Sequence, residues 1–313
     1  MKTISILLCC ILLLNSCQQV GTVIRSPKQL PIAAIHTGTQ GIDMRFVEQA
    51  PPLEVMAGNR FEIAIDMENK GAVDTEGIIA FGIPVELIAS ETPLTNTFRL
   101  YGKKPFMPIG QQERFSLLAL AGKIGEERFP TLVSAQLCYT YKTETAQLLC
   151  IKPETATTQR KGKDICTPNP VALGGGQGAP VAVTHIEKPT LVPLGTKTNQ
   201  TVKPSIQFHI QNLGTGIVVD KTRYGDLCEQ NKETKDLINQ IHVSAKLSNK
   251  PLTCKLPKTT DLSLGVVVTC TEEEGPTTGF AQTLPAYEAL LEIKLEYGYV
   301  QQRTKNFVIK NPS

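Results

Sequence analysis

The stretch VALGGGQGAP, residues 171–180, contains the residue type that binds phosphate in nucleotide-binding loops. Such a loop uses glycine N–H groups, continues as Gly-Lys followed by Ser or Thr, and leads into a helix whose N-terminus faces the phosphate. Here Pro180 follows instead, and the next residues, VAVTHIE, alternate as a strand does. The sequence therefore predicts that Gly174 to Gly178 turn the chain into a strand and bind no nucleotide.

Histidine and carboxylate side chains are the next candidates, because two or three of them can converge on a metal ion. The four histidines, His36, His185, His209 and His242, are widely separated in the sequence. The alternation around His209 predicts that its side chain points outward. The acidic run Glu272–Glu274 lacks the spaced oxygen ligands of a calcium loop. We expect no metal and no other cofactor.

Catalytic motifs are equally scarce. The chain contains neither GxSxG nor HExxH. It has no tryptophan and only 5% aromatic residues, which argues against a sugar-stacking cleft. The balance of 32 basic and 29 acidic side chains gives no reason to expect nucleic-acid binding, which needs clustered positive charge. We therefore expect a protein that is not an enzyme.

The N-terminus has the pattern of an export signal. Residues 1–16 combine Lys2 with an apolar run that is too short to span a bilayer. The following LNSC, residues 14–17, resembles the lipobox of exported lipoproteins, which implies lipidation at Cys17. An ordinary cleaved signal with a chance cysteine is the alternative. The lipid would attach the protein to the membrane on the extracytoplasmic side of the cell envelope.

Six further cysteines predict disulfides, since an even number is typical of an exported chain. They are Cys138, Cys150, Cys166, Cys228, Cys254 and Cys270. A turn near Thr143 and Glu144 would place Cys138 opposite Cys150 on two paired strands. A second hairpin around Leu262 would pair Cys254 with Cys270, which leaves Cys166 for Cys228. Three connectivities of these last four cysteines stay open.

Strand alternation recurs along the chain and predicts an all-β fold. RFEIAIDMENKG, from residue 60, and SIQFHIQNLGTG, from residue 205, both alternate and then end in Asn-x-Gly. We expect two immunoglobulin-like β-sandwich domains in tandem, at residues 41–152 and 179–313, each with about seven strands. A flexible stalk at residues 17–40 precedes them, and a Pro-, Gly- and Thr-rich linker at residues 153–178 joins them. Asn199 begins a glycosylation sequon, NQT, in a stretch typical of a loop.

Two tyrosine pairs mark the ends of the two predicted domains. Tyr139 and Tyr141 lie in AQLCYTYKTETAQLLCIK, and Tyr297 and Tyr299 lie in IKLEYGYVQQRTKNFVIK. Each pair precedes a predicted polar turn and a final apolar strand. Their alternation favours burial in the core, with hydrogen-bonded hydroxyl groups, over a binding stripe on the surface.

The strand-then-Asn-x-Gly phrases, with Asn69 and Gly71 in one and Asn212 and Gly214 in the other, resemble CARDB-type immunoglobulin-like domains of exported surface proteins. CYTYKTETAQLLC together with GGQGAPVAVT is also similar to a group of secreted two-domain proteins from small-genome archaea. The resemblance covers most of the chain that follows the signal. It implies a surface β-sandwich without an established activity, and it carries over no site residues.

These observations favour an adhesive or structural binding module that recognises a protein or cell-surface partner. Two alternatives stay open. One is a subunit of an envelope transport, secretion or appendage assembly, and the other is a carbohydrate-binding accessory or hydrolase.

Overall fold

The computed structural model describes residues 35–153, 163–194, 201–228, 235–257, 260–273, 279–281 and 284–312. Their regular secondary structure is almost entirely β-strand, as the alternation predicts, and the strands pair antiparallel except for one short parallel pair. A short helix, α1, spans Tyr224–Cys228, and a 3-10 turn spans Lys235–Leu237. The strands are β1 Ile42–Phe46, β2 Glu54–Met56, β3 Arg60–Asn69, β4 Thr75–Gly82, β5 Ile88–Ser90, β6 Thr95–Leu100, β7 Gln112–Ala121, β8 Arg128–Ile151, β9 Val171–Ala172, β10 Val181–Ile186, β11 Thr190–Leu194, β12 Thr201–Asn212, β13 Ile217–Val219, β14 His242–Leu247, β15 Lys250–Lys255, β16 Val266–Glu272, β17 Phe280–Ala281 and β18 Tyr287–Lys310.

Strand β3 shows how alternation positions these elements. Phe61, Ile63 and Ile65 are buried, whereas Glu62 is exposed and Asp66 is partly exposed. Burial of one face removes apolar surface from water, which is the main favourable term in folding. Strand β12 repeats the pattern with Ile206, Phe208 and Ile210. In the described part of the chain, no helix is long and apolar enough to cross a bilayer.

The described strands lie in two sheets. The smaller has the order β1-β3-β7-β5. The larger has the order β6-β4-β8-β18-β14-β15-β16-β12-β10-β9, with four short strands added beside this path. Buried residues from both sheets form one hydrophobic cluster that includes Ile63 and Leu117 as well as Phe208 and Leu295. The residues before and after the predicted linker therefore share a core.

The longest strands, β8 and β18, have 24 residues each and pair over their whole length. Their register runs from Arg128 opposite Lys310 to Ile151 opposite Tyr287. The predicted turn at Thr143 and Glu144 is wrong, as is the polar turn after Tyr299, because both strands continue through these positions. Lys142 and Glu144 point outward while Tyr141 and Thr143 stay buried, so the polar residues belong to one strand face.

The disulfide pairing follows from this geometry. The predicted Cys138–Cys150 bridge is wrong, since the two cysteines are twelve steps apart along one continuous strand, which separates them by about 40 Å. The structure joins Cys138 to Cys228 and Cys150 to Cys166, so the proposed Cys166–Cys228 bridge is wrong too. Cys254 and Cys270 lie opposite each other on β15 and β16 and are bonded, as the second hairpin predicts.

Each bridge fixes a different contact. Cys138–Cys228 holds α1 against β8, where both cysteines pack with Val219 and Val300 in a small buried cluster. Cys150–Cys166 attaches the segment after β8 to the end of that strand. The part of the predicted linker around Cys166 is therefore tied to the sheet rather than free.

The bridge between Cys138 and Cys228 can be tested by changing one partner. Cys138→Ala should leave Cys228 as the newly alkylatable thiol, detected by peptide mass mapping without reduction. The bridge closes a long loop, with a sequence separation of 90, so the change should cost about 4 kcal/mol of unfolding free energy in a denaturant titration. A newly free Cys150 would contradict the structure, and Cys254→Ala should free Cys270 as the matched control.

Candidate functional site

The Asn-x-Gly phrase that ends β3 forms a corner. The Asn69 side-chain oxygen accepts a hydrogen bond from the Gly71 N–H at 3.1 Å, and its Nδ2 donates to the Val73 carbonyl at 2.8 Å. The Tyr141 hydroxyl lies 3.5 Å from the same Asn69 oxygen. A Cβ at Gly71 would overlap this hydroxyl, so glycine is required by close approach.

The same corner occurs at the end of β12. Asn212 accepts from the Gly214 N–H at 3.2 Å and donates to the Gly216 carbonyl at 2.8 Å. The Tyr299 hydroxyl donates to the Asn212 oxygen at 3.1 Å and accepts from the Gly216 N–H at 2.8 Å. A Cβ at Gly214 would overlap the Tyr299 hydroxyl. The repeated sequence phrase therefore makes a repeated three-dimensional contact.

The two corners meet at four buried tyrosines in the middle of the β8–β18 pair. Tyr141 lies opposite Tyr297, and Tyr139 lies opposite Tyr299, so the four residues are related by an approximate twofold axis. The ring centroids of neighbouring tyrosines lie 5.7–6.4 Å apart. The expectation that these side chains are core is confirmed, since none is more than 4% exposed.

Backbone groups satisfy the other two hydroxyls in a matching way. The Tyr139 hydroxyl accepts from the Ile42 N–H at 3.3 Å, and the Tyr297 hydroxyl accepts from the Val181 N–H at 3.2 Å. Ile42 begins β1 and Val181 begins β10. Burial of a hydroxyl is tolerated when hydrogen bonds replace those with water. We refer to Tyr139, Tyr141, Tyr297 and Tyr299 as the tyrosine quartet. Its hydroxyl groups contact the residues at which β1 and β10 begin and at which β3 and β12 end.

The glycine-rich stretch packs against this quartet. Gly175, Gly176 and Gly178 have positive φ angles of 84°, 70° and 70°, which glycine adopts readily. The Gly178 carbonyl accepts from the Tyr141 hydroxyl at 3.2 Å and from the Ala72 N–H at 3.0 Å. Strand β10 follows, as the sequence predicts. Gly176 and Gly178 are buried, so this end of the predicted linker is part of the packed structure.

The last residues of the predicted stalk are packed as well. Ile35 is only 3% exposed. The Gly38 N–H donates to the Gly175 carbonyl at 2.7 Å, and the Gly178 N–H donates to the Gly38 carbonyl at 2.8 Å. These bonds dock residues 35–38 onto the glycine-rich stretch. His36, which the sequence places in a spacer, is thereby positioned beside the sheet.

A cleft of about 740 Å³ lies between the sheet and a roof that is formed by residues 36–37 and the glycine-rich stretch. Its floor consists of three cross-strand rows of β14, β18 and β8, and the middle row is Ala245, Ile293 and Thr145. The roof includes His36, Leu173, Gly174, Gly176 and Gln177. We refer to this space as the glycine-loop cleft. Its volume is in the range of small-molecule and peptide sites.

Both the roof and the rim of the cleft are held by polar contacts. The Gln177 amide bonds Val183 at both ends, accepting from its N–H at 2.9 Å and donating to its carbonyl at 3.1 Å. At the rim, Glu144 pairs with Lys142 at 3.0 Å. Lys294 pairs with Glu296, also at 3.0 Å. Charges of both signs therefore surround the cleft, which gives it no strong preference for an anion or a cation.

His36 lines the cleft, but His185, His209 and His242 do not. His185 and His209 are cross-strand neighbours, and Glu187 lies 3.5 Å from the first and 2.9 Å from the second. The hydrogen bond from His209 is the main cause that lowers the pKa of the Glu187 carboxyl. His209 is partly exposed, as its alternation predicts, and His242 is exposed. Among the described residues, no three His, Cys, Asp or Glu side chains form a group suited to a metal ion.

Other sequence candidates are separate from the cleft or undescribed. Glu272 pairs with Lys250 at 3.1 Å, and Glu273 accepts from the Thr253 hydroxyl at 2.8 Å. Cys17, Asn199 and Glu274 lie outside the described residues. Sequence reasoning missed the cleft because its floor depends on three strands that are adjacent only in the fold. The one available signal was the glycine-rich stretch that forms the roof.

The fold and the bridges define a class: an all-β protein with antiparallel sheets and three disulfides among its described residues. Such bridges indicate an oxidising, extracytoplasmic environment. No protein-family model matches the chain, and no curated protein matches it either. Function therefore has to be argued from the geometry of this chain.

The tyrosine quartet predicts the response to alkaline pH. Burial raises the pKa of Tyr139, Tyr141 and Tyr297 well above the usual value, and it raises the pKa of Tyr299 to about 12. The folded state thus keeps protons that the unfolded chain releases near pH ~10. The resulting stabilisation is complete below that pH and is lost as the pH rises further.

The part of the tyrosinate absorbance that comes from these four of the seven tyrosines should therefore rise together with the loss of strand circular dichroism in an alkaline titration. If these tyrosines ionised near pH ~10 while the circular dichroism stayed native, their burial would be disproved.

Proposed function

We propose that this protein is a non-catalytic binding module of the cell envelope, tethered by a lipid on Cys17, which recognises a partner through the glycine-loop cleft. Export is supported by the three disulfides, since such bridges persist in oxidising compartments. The lipid tether is supported by the LNSC sequence at residues 14–17. The two corner-and-tyrosine units support a pair of immunoglobulin-like halves, because a tyrosine that bonds the backbone at a corner is typical of that fold.

The observation that carries the binding role is the rigid construction of the cleft. Its floor includes part of the longest strand pair in the described structure. The glycine-rich stretch that forms its roof is bonded through Gly178 to Tyr141 and Ala72, and through Gly175 and Gly178 to Gly38. A site with little freedom to move loses little entropy when a ligand binds. The cleft is thus suited to recognition rather than to a motion-gated reaction.

The shape of the cleft favours an extended peptide segment as its occupant. The middle floor row consists of Ala245, Ile293 and Thr145, and the roof opposite contains Gly174 and Gly176. Two glycines and an alanine leave room for a narrow chain. Among the described residues that line the cleft there is no Phe, Tyr or Trp side chain to stack on a sugar ring, and the ring present is that of His36. A protein partner at the cell surface therefore fits better than a glycan.

Photocrosslinking in intact cells tests the binding role. Gly174 is exposed, and a Cβ at this position would have no neighbour within 4 Å, so benzoylphenylalanine is accommodated there. We expect one reproducible protein adduct from position 174. Gly125 is the matched control, because it is also exposed and open but lies away from the cleft.

Thr145→Phe, which fills the floor, should weaken the adduct at position 174. An adduct unaffected by Thr145→Phe, equal adducts from positions 174 and 125, or no adduct would reject the cleft as the recognition site. A single partner in fixed proportion would favour the role of an assembly subunit over that of an adhesive module.

Metabolic labelling tests the tether. Radiolabelled fatty acid should enter the wild-type chain, and Cys17→Ala should abolish the label and release the protein from the membrane fraction. The reason is that acyl chains bind by burying their methylene groups in the bilayer. Cys9→Ala, which changes a cysteine within the signal, should retain the label. Equal labelling of wild type and Cys17→Ala would exclude the lipid at this position.

A further inference from the structure

The segment between β6 and β7 exposes an unusual set of apolar side chains. Within residues 101–110, Phe106 is 74% exposed, Ile109 is 62% exposed and Tyr101 is 47% exposed, and Met107 adds to the same surface. Single exposed apolar residues are common, but contiguous ones mark an interaction surface. We refer to residues 101–110 as the Phe106 loop.

The Phe106 loop is held in place at its base. The Lys103 N–H donates to the Gly71 carbonyl at 2.8 Å, and the Gln111 N–H donates to the Tyr101 carbonyl at 2.9 Å. Lys104 and Met107 exchange two backbone hydrogen bonds of 2.9 and 3.0 Å across the tip. The apolar side chains are therefore displayed by a structured hairpin.

The base of the loop is connected to residues 35–38 by a chain of backbone hydrogen bonds. Gly71 bonds Lys103, its neighbour Ala72 bonds Gly178, and Gly178 bonds Gly38. The chain between Cys17 and Ile35 reaches at most about 60 Å when fully extended. A lipid on Cys17 would thus hold the Phe106 loop within reach of the bilayer surface.

The charges around the loop suit an anionic surface. Arg99 lies over the ring of Tyr101 with its guanidinium carbon 5.9 Å from the ring centroid. Lys103 and Lys104 add two positive charges, and Asp74, which pairs with Lys104 at 2.7 Å, offsets one charge. Basic residues beside exposed aromatic and aliphatic side chains are the combination that binds the interface of anionic membranes.

We propose that the Phe106 loop inserts into the interfacial layer of an anionic phospholipid membrane and orients the tethered protein on it. This inference rests on the proposed envelope location. A lipid surface fits better than a protein pocket because the apolar side chains project from a hairpin tip with cationic side chains at its base. Phe106, Met107 and Ile109 would enter the layer, while Arg99 and Lys103 would contact the phosphates.

Tryptophan fluorescence tests the proposal, because the chain has no tryptophan of its own. Phe106→Trp in the full chain should show shorter-wavelength emission with vesicles of phosphatidylglycerol and phosphatidylcholine. Brominated acyl chains in those vesicles should quench it. Val85→Trp is the matched control, since Val85 is 69% exposed and lies beyond the opposite end of β4 from Asp74. Quenching at position 106 should exceed that at position 85 severalfold.

Vesicle flotation of the same chains, with and without Cys17→Ala, separates the loop from the tether. Flotation that depends on Cys17, with no quenching at position 106, would overturn the loop inference and leave the tether intact. Quenching at position 106 that persists in Cys17→Ala would support the loop and argue against a required tether. Equal quenching at positions 106 and 85, or none at either, would overturn the loop inference.

Discussion

The structure depends on the satisfaction of four buried tyrosine hydroxyls at the middle of one long strand pair. Each hydroxyl needs a partner because an unpaired polar group in the core costs about 1–3 kcal/mol. The partners come from both halves of the sequence: Ile42 in the first, Val181 and Gly216 in the second, and Gly178 in the segment between them. Glycine is required at Gly71 and Gly214 because the tyrosine hydroxyl groups occupy the space that a Cβ would take. The quartet thereby makes two similar sequence units into one packed core.

Much of this could be predicted from the sequence because it depends on local patterns. The alternation in β3 and β12, the repeated Asn-x-Gly phrases and the burial of the tyrosines all follow from residues close together in the chain.

The turn at Thr143 and Glu144 could not be excluded from the neighbouring residues alone, since Lys142 and Glu144 resemble turn residues. Only the partner strand, which places Glu296 opposite Lys142 and Lys294 opposite Glu144, explains why the strand continues. The Cys138–Cys150 prediction was wrong for the same reason, and the cleft was missed because β14 lies beside β18 only in the fold.

The same construction connects the fold to the proposed role. The glycine-rich stretch that suggested a nucleotide loop is instead a roof, bonded to the tyrosine quartet on one side and to residues 35–38 on another. The glycine-loop cleft, residues 35–38 and the Phe106 loop are all linked to this one region by short chains of backbone hydrogen bonds. A lipid-tethered binding module needs this coupling, because the orientation of its cleft at the membrane depends on how the tether meets the folded part.

Because the quartet bonds backbone groups of both halves, we expect the two halves to unfold as a single cooperative unit. Native-state hydrogen exchange on Gly71→Ala tests it most directly, since the added Cβ would overlap the Tyr141 hydroxyl in the first half. Gly125→Ala is the control, because a Cβ there has no neighbour within 4 Å. Gly71→Ala should lower amide protection in β12 and β16 of the second half as much as in β3 and β7 of the first. Protection lost in β3 and β7 alone, with β12 and β16 unchanged, would contradict it.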